Sequence, residues 1–296
     1  MSGRSATEVR ELVERAATGL LDPQARNLAS AVQWWPIPDL EGEWPLAVIG
    51  EGPPVLMLHG FDSSFLEFRR LVPLLAPHHR LLIPDLFGFG FSPRPARGDY
   101  SPAGVLRHLA GLLRVAQLRA PGSLGVIGAS MGGSVALELA RRCPQRIGRL
   151  LLLAPAGLTG RPLPLPPVLD ALGVRLLSLP GVRRGLCRSA FADPDASVGA
   201  AELEIASLHL HSPGWADSLR RFARSGGFAG CGSPLPAQPL AALWGADDRI
   251  LRPPQKRAAL ALLGDRVREL PRCGHLPHID QPEVVAESWL QGSAAA

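Results

Sequence analysis

Lysine is almost missing from this 296-residue chain: Lys256 is the single lysine among 31 basic residues. The arginines stand singly or in pairs, with no block of about five or six like charges. Aromatics make up only 5%, with one tyrosine. No interleaved basic and aromatic platform is present, so nucleic-acid binding is not expected despite the formal charge of +5. A weak attraction to anionic lipid stays open. Cysteine is also scarce. Cys143, Cys187, Cys231 and Cys273 lie far apart and lack the paired spacing of a zinc or redox site. A reduced, cytoplasmic compartment is the expectation. No apolar run approaches the roughly eighteen residues of a membrane span. The opening segment has no signal-peptide core, and Glu8, Glu11 and Glu14 argue against a transit peptide.

What is present is a globular composition, 46% hydrophobic and 19% charged. An amphipathic helix is predicted over 7–21, ending at Asp22-Pro23. Short apolar strands follow at 44–49, 54–58, 81–84, 124–127, 150–153, 240–243 and 267–270. Helical patterns fall between or beyond them at 65–75, 102–117, 131–142, 255–263 and 283–290. Buried strands alternating with helices imply parallel pairing through crossovers, with both sheet faces covered. The alternation stops at 155–235, a Pro-, Leu- and Arg-rich stretch too long for a loop. The expected organisation is a core of residues 1–154 and 236–296 carrying a helical cap at 155–235.

Gly128-Ala129-Ser130-Met131-Gly132-Gly133 lies between an apolar strand and a helix. G-x-S-x-G in that context is a nucleophile elbow, a tight turn that lifts a serine hydroxyl to the top of the sheet. His59-Gly60-Phe61 ends an earlier strand, where the second oxyanion donor belongs. The backbone amides of Phe61 and Met131 are the candidate oxyanion hole. His59 itself reads as a structural hydrogen-bonder. After a late strand, Asp247 and Asp248 both could orient a histidine; W-G-x-x-D in relatives of this fold favours Asp248. Cys273-Gly274-His275 follows the last strand. Asp85 is a rival acid, read as supporting. The order Ser130, Asp248, His275 is that of an α/β-hydrolase triad. An α/β-hydrolase fold, a mostly parallel central sheet flanked by helices with an inserted helical cap, is therefore expected, with no cofactor. The pairs His209/His211 and His275/His278 lack the converging ligands of a metal site, and no metal is expected.

Longer strings narrow the substrate. HGFDSSFLEFRRL, SLHLHSPGWADSLRRFARSGGF and CGHLPHIDQPE together resemble the chlorophyll dephytylase branch of the α/β hydrolases, known from plants and cyanobacteria. HGF and G-x-S-x-G are shared very widely; F-D-S-S-x-L-E and the S-G-G-F end of the cap are more specific. The resemblance spans about residues 55–285. It implies hydrolysis of the phytyl ester of chlorophyll to chlorophyllide and phytol, with Ser130, Asp248 and His275 catalytic. Plant members differ in carrying a transit peptide, a cysteine in place of Gly60 and another residue after the elbow serine. Two further readings remain: a small-substrate carboxylesterase, lactonase or C–C hydrolase, and a binding receptor with little turnover.

The cap segment 168–179 has few polar positions, at 170, 175 and 178. Burial on two sides within the cap is the favoured expectation, and an apolar or membrane-touching face is the alternative. Leu163-Pro164-Leu165-Pro166-Pro167, with Arg161, Arg175, Arg183 and Arg184, is equally a docking surface or a stiff linker. The expected partners are an apolar ester, chlorophyll by resemblance, and a membrane touched peripherally through the cap. The expected site of action is cytoplasmic, peripheral to a photosynthetic membrane.

Overall fold

The computed structural model describes residues 3–119 and 122–294. Its strands are β1 (Val32–Pro36), β2 (Glu43–Ile49), β3 (Pro54–Leu58), β4 (Arg80–Pro84), β5 (Leu124–Ala129), β6 (Ile147–Leu153), β7 (Leu240–Gly245) and β8 (Val267–Leu270). They form one sheet in the order β1-β2-β4-β3-β5-β6-β7-β8. From β4 through β8 the neighbours run parallel, while β1–β2 and β2–β4 are antiparallel. The sheet is thus mostly parallel, as expected, with antiparallel pairing confined to one edge. Residues 50–53 between β2 and β3 are too few for a crossover helix, so β3 must reverse direction.

Helices α1 (Gly3–Gly19), α2 (Pro23–Ser30) and α3 (Val72–Leu75) precede α4 (Pro102–Arg119) and α5 (Met131–Arg142). The long segment after β6 carries α6 (Pro167–Leu177), α7 (Pro180–Ala190), α8 (Pro194–Ser197), α9 (Ala200–Leu208) and α10 (Trp215–Arg224). No strand interrupts it among the described residues. The core closes with α11 (Pro253–Leu263), α12 (Pro277–Asp280) and α13 (Pro282–Ala294).

Side-chain alternation divides the core in two. Leu56, Leu58, Leu150 and Leu152 join the cluster under α4, α5 and α11; Val55, Met57, Leu151 and Leu153 join the one under α1, α2 and α13. Each such side chain contributes roughly 1.5–3 kcal/mol on leaving water.

Three local expectations need correction. Strand β1 was missed because VQWWP is short, ends in proline and lies at the sheet edge. Asp22-Pro23 starts a helix as well as following one: Asp22 caps α2, accepting from the Gln24 amide at 2.8 Å and the Ala25 amide at 3.2 Å. The helix expected over 65–75 breaks into a 3₁₀ turn, Phe65–Phe68, and α3. Pro73 lacks the N–H that would bond the Arg69 carbonyl.

His108 on α4 is fully enclosed against Trp44, centroid distance 4.8 Å, with no hydrogen-bond partner among the described residues. Burial pushes its pKa down to about 3. The folded chain keeps this ring neutral, whereas the unfolded chain protonates it below about pH 6.5. Stability is therefore undiminished by protonation above that pH and is lost progressively as pH falls from about 6.5 towards 3. His108→Leu is expected to raise the thermal midpoint at pH 7, by removing an unpaired polar ring. It should also flatten the decline below pH 6.5, both readable by calorimetry across pH.

Candidate active site

Ser130 sits between β5 and α5 with φ of 51°, a strained value typical of functional turns. The turn is held by its own backbone. The Ser130 amide donates to the Leu153 carbonyl (2.8 Å), and its carbonyl accepts from Gly133 (2.9 Å) and Ala156 (3.0 Å). Glycine is obligatory at 132, where a Cβ would lie 2.0 Å from the Leu58 carbonyl oxygen.

His275 Nε2 lies 2.8 Å from Ser130 Oγ, and His275 Nδ1 lies 2.9 Å from Asp248 Oδ2. Asp248 is fixed further by Trp244 Nε1 at Oδ2 (2.9 Å) and by the Ile250 and Leu251 amides at Oδ1 (2.9 and 3.2 Å). Burial alone would raise its pKa, but the bond and charge of His275, with those amides, hold it below the ordinary value. Asp247 is exposed. Asp85 lies elsewhere: it accepts from the Phe65 and Phe91 amides at 2.7 and 2.6 Å, and burial pushes its pKa up to about 7. This chain of contacts can carry a proton from Ser130 to His275 while Asp248 balances the imidazolium.

The Gly60–Phe61 peptide packs against the serine, since a Cβ on Gly60 would meet Ser130 Cβ at 3.3 Å. His59 sets its orientation. The Leu86 amide donates to His59 Nε2 (3.0 Å), so Nδ1 carries the proton and donates to the Gly60 carbonyl (2.8 Å). That carbonyl and the Phe61 N–H belong to one planar peptide and point opposite ways. Burial, the dominant cause, pushes His59 down to about 4 and keeps it neutral. Met131 opens α5, so its amide is one of the unpaired donors of a helix N-terminus.

Two buried groups escaped sequence reasoning. Glu67 Oε2 accepts from the Gly60 amide (3.2 Å), and Oε1 pairs with His278 Nε2 (3.1 Å). Against the upward effect of burial, His278 draws the Glu67 carboxyl down to about 2. Asp62 follows Phe61 with φ of 50° and binds three cap residues. It meets Arg183 Nη1 at 2.9 Å, Trp215 Nε1 at 2.8 Å and His209 Nε2 at 3.2 Å. Arg183 is therefore an interior ion-pair partner, and its expected place on a docking surface is corrected. The only signal was that Asp62, Glu67, His209, Trp215 and His278 fall inside the family-like strings, while Arg183 lies outside them. The cap also grips the other side of the site: the His275 amide donates to the Ala190 carbonyl (2.8 Å), and Asp280 accepts from Gly274 (2.6 Å) and Ala192 (3.0 Å).

A pocket of about 260 Å³ opens above Ser130 and His275, walled by Phe61, Leu177, Leu186, Phe191, Ile250 and Leu276. Cys273 is enclosed, and burial pushes its thiol up to about 12, which makes a reactive thiolate unfavourable. Among the described residues no cluster of three or more His, Cys, Asp or Glu is placed to hold a metal.

A serine at a strained strand–helix turn, at the C-terminal end of an interior strand of a mostly parallel sheet and roofed by helices, defines an α/β-hydrolase architecture. Residues 55–288 match the alpha/beta hydrolase family, and the chain belongs to it. It is 29% identical over 282 residues to the alpha/beta hydrolase domain-containing protein VTE7 of Arabidopsis thaliana, covering 90% of this chain and 84% of that protein. It is also 29% identical to a 2-hydroxymuconate semialdehyde hydrolase of Pseudomonas putida, covering 79% of this chain and 84% of that protein. Among solved structures, a meta-cleavage product hydrolase of Pseudomonas fluorescens IP01 superposes with a TM-score of 0.67 at 22% identity, covering 84% of this chain and 95% of that one. That likeness speaks to the fold.

Proposed function

We propose that this chain is a serine hydrolase that cleaves a carboxylic ester of a long apolar alcohol, with the phytyl ester of chlorophyll as substrate. The supporting observation is the unbroken contact from Ser130 Oγ through His275 to Asp248 at the elbow. Ser130 Oγ attacks the ester carbonyl as its proton passes to His275 Nε2. The oxyanion is received by the Phe61 and Met131 amides. Collapse breaks the ester C–O bond, and His275 returns the proton to the departing phytol oxygen. Water, deprotonated by His275, then attacks the acyl-enzyme, releasing chlorophyllide and restoring Ser130.

The substrate choice rests on the family-like strings and on the apolar walls of the pocket. A C–C hydrolase acting on a small substrate is the second reading, favoured by the likeness to the P. putida protein. The pocket supports it less: Arg183, a cation for any acidic substrate, is already neutralised by Asp62. A receptor would not need the triad contacts. Detergent-dispersed chlorophyll incubated with the protein is expected to yield chlorophyllide, detected by chromatography. Fluorophosphonate labelling of Ser130 without chlorophyllide, together with turnover of small esters or diketones, would move the assignment to the second reading.

A further inference from the structure

The cap does not bury its apolar segment. Val168, Leu169, Leu172 and Leu176 on α6, with Leu179 and Leu186 beside them at α7, keep between 42% and 77% of their surface exposed. The expected burial of 168–179 on two sides is thus overturned: only Asp170 and Val174 of α6 turn fully inward. Residue 170 is anchored, since Arg220 lies 3.7 Å away and Arg224 also bonds its carboxylate. The outward face is then fixed by helical geometry, because 168, 169, 172 and 176 share one side.

Along the stretch that carries this face, the exposed charge is of one sign. Between residues 155 and 192 the sole acid is Asp170, which is buried. Arg161, Arg175 and Arg184 are exposed over the same stretch. A second copy seated on the face would bring the two sets of arginines together with no exposed carboxylate of this stretch to answer them. An apolar strip rimmed by arginines suits a surface with hydrocarbon beneath and phosphate above. The strip also continues into the site. Leu186 belongs to both the exposed face and the wall of the Ser130 pocket, and Leu177 is the neighbouring α6 wall residue.

We propose that the α6–α7 face of the cap seats on bilayers containing anionic lipid. The leucines enter the headgroup boundary, Arg161, Arg175 and Arg184 meet lipid phosphates, and the mouth of the Ser130 pocket lies at the membrane surface. A membrane-borne ester would then reach the serine without exposing its hydrocarbon to water. Among the described residues no helix is long and apolar enough to cross a membrane, so the seat is superficial.

The binding step stands apart from the choice of ester and is tested without it. The full chain is floated with vesicles of phosphatidylcholine alone or mixed with phosphatidylglycerol. Binding is expected on the mixed vesicles, weakening as salt rises. Leu169→Gln with Leu172→Gln keeps helical propensity and should weaken partitioning roughly tenfold or more. Arg175→Gln with Arg184→Gln should weaken it roughly fivefold per arginine. Both double variants should hydrolyse p-nitrophenyl butyrate like the parent, which reports an intact fold. If the leucine pair disturbs folding, the arginine pair carries the test alone. Failure of the parent to bind mixed vesicles, or unchanged binding by the variants, would overturn the proposal. A dimer in sedimentation that the leucine variant disperses would reassign the face to a second copy.

Discussion

Ser130→Ala is expected to lower turnover of any hydrolysed ester by roughly 10⁴- to 10⁶-fold. The residual rate would come from the oxyanion amides and from binding. The loss should be chemical, because the serine side chain plays no part in holding the elbow. That turn is fixed by the Ser130 backbone, through Leu153, Gly133 and Ala156. The hydroxyl contributes the 2.8 Å contact with His275 Nε2. Alanine at φ of 51° carries a strain like that of serine, so the thermal midpoint should hardly move. Steady-state kinetics beside a melting curve separate the two effects. Turnover within about tenfold of the parent, in a variant that melts normally, would remove Ser130 from the chemistry.

Asp248→Asn should cost roughly 10⁴-fold in kcat, whereas Asp247→Asn should leave the rate nearly unchanged. The asymmetry follows from who donates to Asp248. The Ile250 and Leu251 amides require an acceptor at the Oδ1 position. An asparagine satisfying them turns its NH₂ towards His275 Nδ1, which must then accept. The imidazole proton moves to Nε2, the atom that should receive the serine proton. Asp247 is at the surface, and its exposed carboxylate can be changed without touching the ring. Parallel kinetics on the two variants decide the matter, and the reverse ranking would pass the orienting role to Asp247.

The elbow and its partners were legible because the turn constrains residue types so tightly. Gly132 tolerates no side chain, and the segments ending at His59 and Asp248 are apolar runs with abrupt polar ends. Helix α5 shows its bounds in sequence because it starts at the elbow and ends in Arg141-Arg142. The two aspartates stayed open because adjacent residues on a loop give no periodicity; the Trp244 indole that selects Asp248 becomes visible only in three dimensions. Glu67 and Asp62 were invisible for a related reason. Their partners His278, Arg183, His209 and Trp215 lie far along the chain, and burial of a charge leaves no local pattern. The α6 face misled in the other direction. An apolar helix normally packs on all sides, and its exposure is a property of where the cap sits.

The grip of the cap on both halves of the site carries a thermodynamic consequence. Asp62 joins the loop after β3 to α7 and α10, and Ala190 and Asp280 join the same roof to the His275 loop. Lifting that roof would strip partners from Asp62 and release His275 from Ala190, so an open cap and an assembled catalytic apparatus are competing states. Coupling of this kind is reciprocal. Under the proposed mechanism, a ligand that favours the assembled site would also favour the closed cap, and the converse would hold equally. In the proposed hydrolysis the roof would accordingly be held hardest while charge develops beneath it, and least once the product has left.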